Sequence, residues 1–112
     1  MDVDILIIPT EENAKRMMAA LDQFGFGQVG IPFEAFTHEG TAITLGEQPN
    51  QVDLLTSMSS QATAEVLKHA EWGELAGIRV RFVSRADLIE AKREASRPKD
   101  LADLDELTRT GM

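Results

Sequence analysis

The sequence predicts an α/β (α+β) fold: a small mixed β-sheet with helices packed against it. Three observations carry that reading. The continuous apolar run Ile5-Leu6-Ile7-Ile8 is followed at once by apolar residues at helical spacing. Two short apolar segments flank the turn-forming residues Gly46, Pro49 and Asn50. Farther on, Ile78, Val80 and Phe82 alternate strictly with Arg79 and Arg81. The element order read from these patterns is β-α-turn-β-β-α-β-α-α.

The first run is β-branched and stopped by Pro9, which reads as a buried, central strand. Thr10 is a suitable N-cap, and Glu11 and Glu12 suit the positive end of a helix. Ala14, Met17, Met18, Leu21 and Phe24 then fall on one helical face, as core packing. Gly25 and Gly27 end that helix. From Gln28 to Gly40 the pattern is weak, with one helical turn expected at Pro32–Phe36.

Thr41 to Leu45 and Gln51 to Leu55 form the expected β-hairpin. Ser57, Ser59 and Ser60 punctuate, and Ala62 to Ala70 is helical in pattern. After a turn at Gly77, the Ile78–Val83 strand presents one apolar and one solvated face. Trp72 is expected to bury against the sheet. Ser84 and Asp87 resemble a capping box at the start of a helix carrying Leu88, Ile89 and Lys92. Pro98 suits the first position of a last helix with the stripe Leu101, Leu104 and Leu107, and Gly111 lies just past its end.

Composition sets the outer limits. The 112 residues are 43% hydrophobic and 27% charged, an ordinary globular balance for a single domain over 1–112. Eleven Lys and Arg against nineteen Asp and Glu give 11 − 19 = −8. Such a chain is a poor candidate for holding nucleic acid by bulk charge. With no cysteine, disulfides, thiolate nucleophiles and Cys-based metal sites are excluded. His38 and His69 are too few for a histidine-only metal site. No apolar run approaches membrane-helix length and no signal peptide is evident, so the expectation is a soluble, cytoplasmic protein.

The carboxylates carry the chemistry. Asp2 and Asp4 lie two apart at the leading edge of the first strand, so their side chains share a face. Asp53 sits inside Val52-Asp53-Leu54-Leu55, where a carboxylate is costly unless exposed, paired or ligating. If the two strands are neighbours, Asp53 completes a three-carboxylate cluster suited to Mg²⁺ or Mn²⁺. Such ions clamp nucleotide phosphates and activate a hydroxyl. The simpler reading is a solvated D-x-D entry to the sheet, with Asp53 on an edge facing water. Lys92, Arg93, Arg97 and Lys99 form a basic cluster. It either pairs with Glu94, Asp100 and Asp103 along the helices or neutralises a triphosphate. His69 reads as a surface or capping residue. Gly25-Phe26-Gly27 lacks the pattern of a phosphate loop.

Taken in order, Asp2-Val3-Asp4-Ile5-Leu6-Ile7, Gln51-Val52-Asp53-Leu54-Leu55-Thr56-Ser57, Asp87-Leu88-Ile89-Glu90-Ala91-Lys92 and Arg97-Pro98-Lys99-Asp100-Leu101-Ala102-Asp103-Leu104 resemble the minimal nucleotidyltransferase family. That family belongs to the DNA polymerase β-like nucleotidyltransferases and is related to nucleotidyltransferase toxins of bacterial abortive-infection systems. The resemblance runs over nearly the whole chain. D-x-D alone is unspecific; the ordered set D-x-D, V-D-L-L, L-I-x-x-K and R-P-K-D-L-A-D is far more specific.

The resemblance implies a nucleotidyltransferase-like fold. It also implies Mg²⁺- or Mn²⁺-dependent transfer of a nucleotidyl group from a nucleoside triphosphate such as ATP to an unidentified hydroxyl acceptor. Asp2 and Asp4 match the paired metal ligands. Asp53 matches the third acid, a metal ligand and catalytic residue that helps deprotonate the acceptor hydroxyl. Lys92, Lys99 and Asp100 match a tail motif near the nucleotide. Active relatives carry a helix and a glycine-rich phosphate-binding turn ahead of D-x-D, whereas here Asp2 follows Met1. The expectation is therefore either a truncated chain or misassigned start, or an N-terminally reduced domain. The alternative is a non-catalytic interaction module on that fold, of a toxin–antitoxin type, forming a homo-oligomer or a complex with a partner protein.

Overall fold

A computed structural model describes residues 3–99, 101–103 and 105. The chain forms two compact units, Met1–Met58 and Ser59–Met112. The described residues form a small mixed α/β protein with two small sheets.

The first unit holds strands β1 (Val3–Leu6), β2 (Ala42–Glu47) and β3 (Asn50–Leu55) in the order β1-β3-β2. β3 is central, parallel to β1 and antiparallel to β2. The first strand was expected at the centre of the sheet, and it instead pairs with β3 alone among the described residues. Its Ile5 stays 41% exposed. A strand covered along one edge leaves its apolar side chains only partly sheltered, whatever its composition.

Helix α1 (Glu11–Gln23) begins where Thr10 Oγ1 accepts a hydrogen bond from Asn13 N at 3.1 Å. Asn13 Nδ2 donates back to the Ile8 carbonyl at 3.2 Å, fixing the turn from strand to helix. The helix ends in a Schellman motif. Phe26 N donates to Leu21 O and Gly25 N to Asp22 O, with Gly25 at φ +87. Phe24, expected on the buried stripe, is instead the C-cap and 79% exposed, because the helix ends there.

Ile7, Ala14, Leu21, Phe36 and Leu54 form the core of this unit, with Met17, Met18, Ile43, Leu45 and Val52 against it. Phe36 comes from a 3₁₀ turn, Phe33–Phe36. At the end of β3, Thr56 Oγ1 accepts from Thr41 N at 2.9 Å and Ser57 Oγ from Gly40 N at 3.1 Å. Those bonds close the hairpin opposite its turn.

The second unit holds α2 (Thr63–Lys68), β4 (Glu71–Leu75), β5 (Ile78–Phe82) and α3 (Arg85–Ala95). Residues 98, 99, 101–103 and 105 are also helical; Leu104, Leu107 and Gly111 of the expected last helix lie outside the described residues. β4, absent from the sequence reading, pairs antiparallel with β5. Ala76 (φ 51) and Gly77 (φ 82) form the two-residue connection, both left-handed as a type I′ turn requires. Gly73 leaves room for Phe82: a Cβ there would sit 2.7 Å from its ring. The apolar side of this ribbon is less covered than expected, with Ile78 65% exposed. Trp72, expected to be buried, is 60% exposed. Its register partner is Arg81, so it shares the arginine-bearing side of the ribbon. No helix among the described residues is long and apolar enough to cross a membrane.

Candidate functional site

The three-stranded sheet separates its side chains by alternation. Ile43, Leu45, Val52 and Leu54 point toward the core. Their neighbours Thr44, Gln51 and Asp53 therefore occupy the opposite face. Asp4 of β1 is in direct register with Asp53 of β3, and Thr44 of β2 with Asp53 from the other side. The expectation that the D-x-D strand and the Asp53 strand are neighbours is met. Adjacent strands lie ~4.8 Å apart, so both carboxylates emerge on one face at that order of spacing.

Asp53 is half-buried and Asp4 exposed. Asp53 Oδ1 accepts from Thr44 Oγ1 at 2.9 Å and from Gln51 Nε2 at 3.1 Å. These donors aim the carboxylate and offset part of its desolvation. Asp4 and Asp53 thus place two carboxylates opposite each other on paired strands. Two carboxylates give hard oxygen donors, which fit Mg²⁺ or Mn²⁺ in kind. Among the described residues no group of three or more such ligands forms, and Asp2, expected to pair with Asp4 as a ligand, lies outside them.

The residues of the basic cluster, Lys92, Arg93, Arg97 and Lys99, lie in the second unit. Lys92 Nζ is 3.0 Å from Asp103 Oδ2, tying α3 to the following helical residues. Arg93 pairs with Glu90 at 3.8 Å, and Glu94 Oε1 accepts from Ser60 N at 2.8 Å. The Lys92–Asp103 pair spans 11 residues and is not one of the three- and four-residue pairings expected of the basic cluster. Lys99 is exposed, and Asp100 lies outside the described residues.

Two features of this unit escaped the sequence: the partner of His69, itself expected at a surface or cap, and the exposure of Trp72. His69 is the C-cap of α2, and its Nδ1 lies 2.9 Å from Asp87 Oδ2 in the first turn of α3. Each residue suits the dipole of its own helix end. Ser84 Oγ accepts from Asp87 N at 3.2 Å, so half of the expected capping box forms while the Asp87 carboxylate turns to His69. The second feature is the exposed Trp72, whose ring carries the Arg79 guanidinium 4.2 Å from its centroid. The signal for it was a two-residue Ala76-Gly77 turn between alternating segments.

Comparison with protein-family models, with curated proteins and with solved structures finds no match for this chain.

Proposed function

We propose that this protein is a nucleotidyltransferase-like protein that transfers a nucleotidyl group from a nucleoside triphosphate to a hydroxyl acceptor, with Asp4 and Asp53 at its centre. The observation that carries the reading is the in-register Asp4–Asp53 pair on adjacent parallel strands, turned away from the core. Asp2, Asp4 and Asp53 would hold Mg²⁺ or Mn²⁺, which when bound supplies positive charge across the phosphates.

Asp53 then takes the proton of the acceptor hydroxyl as that oxygen bonds to the α-phosphorus and pyrophosphate leaves. Its two hydrogen-bond donors, Thr44 and Gln51, keep the carboxylate aimed while it does so. The resemblance of the tail implies a nucleotide-binding role for Lys92, Lys99 and Asp100.

The test is Mn²⁺-dependent labelling of cell extract from an α-labelled nucleoside triphosphate. Asp4→Ala and Asp53→Ala should each abolish transfer; if both keep it, the reading fails.

One observation favours a second reading, a non-catalytic interaction module. The hydrogen bonds from Thr44 and Gln51 to Asp53 Oδ1 give that carboxylate a purely structural use in the hairpin. Such a module forms a homo-oligomer or a stable partner complex. A clean monomer in sedimentation at tens of micromolar, from a protein that also fails to label, counts against it.

A further inference from the structure

We infer that the β4–β5 ribbon is a binding site for single-stranded nucleic acid, with Trp72 as the base-stacking surface and Arg79 as the phosphate contact. Trp72 and Glu74 of β4 face Arg81 and Arg79 of β5 across the ribbon, so the four side chains share one side. The Arg79 guanidinium lies 4.2 Å from the Trp72 ring centroid, and that of Arg81 lies 5.6 Å away.

The two arginines are used differently. Arg81 Nη2 donates to the Leu67 carbonyl at 2.6 Å and to the Ala70 carbonyl at 3.4 Å, and so serves the C-terminal end of α2. The Arg79 side chain makes no hydrogen bond and no ion pair with any described residue. Glu74 stands directly opposite it and still forms no ion pair with it. Arg79 is thus a planar cation held against an aromatic ring with its N–H donors uncommitted. That is the geometry that takes a phosphate at its edge.

A cation–π pair across a ribbon also stabilises the ribbon itself, by an amount typical of exposed pairs. Stabilisation alone accounts for the ring under the guanidinium. It leaves unexplained both the unspent donors and a tryptophan 60% exposed, a costly residue to leave in water.

An acidic peptide would use only the guanidinium, whereas a nucleotide strand uses both groups, its base on indole and its phosphate on Arg79. The net charge of −8 opposes any long electrostatic footprint. Binding is therefore short, weak and salt-sensitive. This inference stands apart from the nucleotidyl-transfer reading, because it involves neither Asp4 nor Asp53.

Trp72 is the only tryptophan of the chain, so its fluorescence reports the site directly. The titrant is oligoadenylate RNA of about ten nucleotides at low salt, a length within the usual single-strand site size. The expected result is saturable quenching that weakens about ten-fold in Arg79→Ala, less in Arg79→Lys, and fades as salt is raised. Anisotropy of a labelled strand follows Trp72→Leu and Trp72→Phe, with Leu the more damaging. Far-ultraviolet circular dichroism checks that each variant keeps the ribbon. Absence of saturable quenching overturns the inference. So does equal quenching by an oligoglutamate peptide, by inorganic phosphate or by the same sequence as a duplex, and so does full binding by a folded Arg79→Ala.

Discussion

Asp4 and Asp53 face each other in register across the parallel β1–β3 pair, and Asp53 is held by Thr44 and Gln51 from its own sheet. Two anions are placed side by side and one is aimed by neutral donors. The hairpin makes the aim, because β2 brings Thr44 opposite Asp53 through the turn after Gly46.

Asp4→Asn removes one of the two facing carboxylates. Added Mn²⁺ should therefore stabilise the wild type more than the variant. Urea melts with and without Mn²⁺ check the point, and an unchanged Mn²⁺ response in Asp4→Asn would contradict the pairing.

Thr44 should matter through Asp53. Thr44→Val deletes the hydroxyl that donates at 2.9 Å and keeps the shape. One net hydrogen bond to a charged acceptor is worth about 1.5–3 kcal/mol when sheltered, and the exposure of Thr44 places the loss at or below the lower end. Under the transfer reading, labelling falls while nucleotide affinity is largely kept, because the misaimed group acts on the acceptor.

Ala76 occupies a left-handed conformation at φ 51, where its Cβ costs about 1–2 kcal/mol. Ala76→Asn and Ala76→Gly should each relieve part of that and raise the stability of the β4–β5 ribbon. Hydrogen exchange at the β4 and β5 amides reads the change locally, and faster exchange in both variants would contradict it.

Lys92 separates two roles. As the partner of Asp103 at 3.0 Å, it should show a double-mutant coupling of about 0.2–1 kcal/mol between Lys92→Met and Asp103→Asn. If it also lies near the triphosphate, Lys92→Met weakens nucleotide binding and Asp103→Asn does not. Thermal melts and nucleotide titrations on the four proteins of the cycle give both answers.

The pH dependence of α2 has a defined sign. The hydrogen bond from Lys68, and then its charge, hold the Glu65 carboxyl below its ordinary range. The same two effects from Glu65 raise Lys68. A lowered acid contributes above its unfolded pKa and is lost as pH falls through the lowered value; a raised base contributes below its unfolded pKa and is lost as pH rises through the raised value. Both side chains are exposed, so the effect is small and screened by salt. Glu65→Gln should flatten the acid limb of stability against pH and also the alkaline limb where Lys68 titrates, and differ least from wild type in high salt.

Local rules carried most of the fold. Thr10 with Glu11 and Glu12 marked the start of α1, and Gly46, Pro49 and Asn50 marked the β2–β3 turn within a residue or two. The rank of β1 in the sheet was not legible, because Ile5-Leu6-Ile7-Ile8 reads the same at a centre or an edge. β4 escaped because Glu71, Gly73 and Glu74 are poor strand formers, and its pairing depends on a turn in which Ala76 stands where Asn or Gly is usual. Trp72 was misplaced with it. Asp4 and Asp53 were legible as candidates from their settings, but their register needed the parallel pairing of two distant segments. The His69–Asp87 and Lys92–Asp103 pairs join separate elements and left no local trace.

Under the proposed function, the Asp4–Asp53 face takes a divalent cation together with a nucleotide. The most direct measurement is calorimetry of Mn²⁺ and then of a nucleoside triphosphate into the wild type, with Asp53→Ala alongside. The expected result is saturable Mn²⁺ binding that strengthens nucleotide binding and disappears in Asp53→Ala while the variant stays folded. No binding by the wild type, or the same binding by both proteins, would contradict the claim.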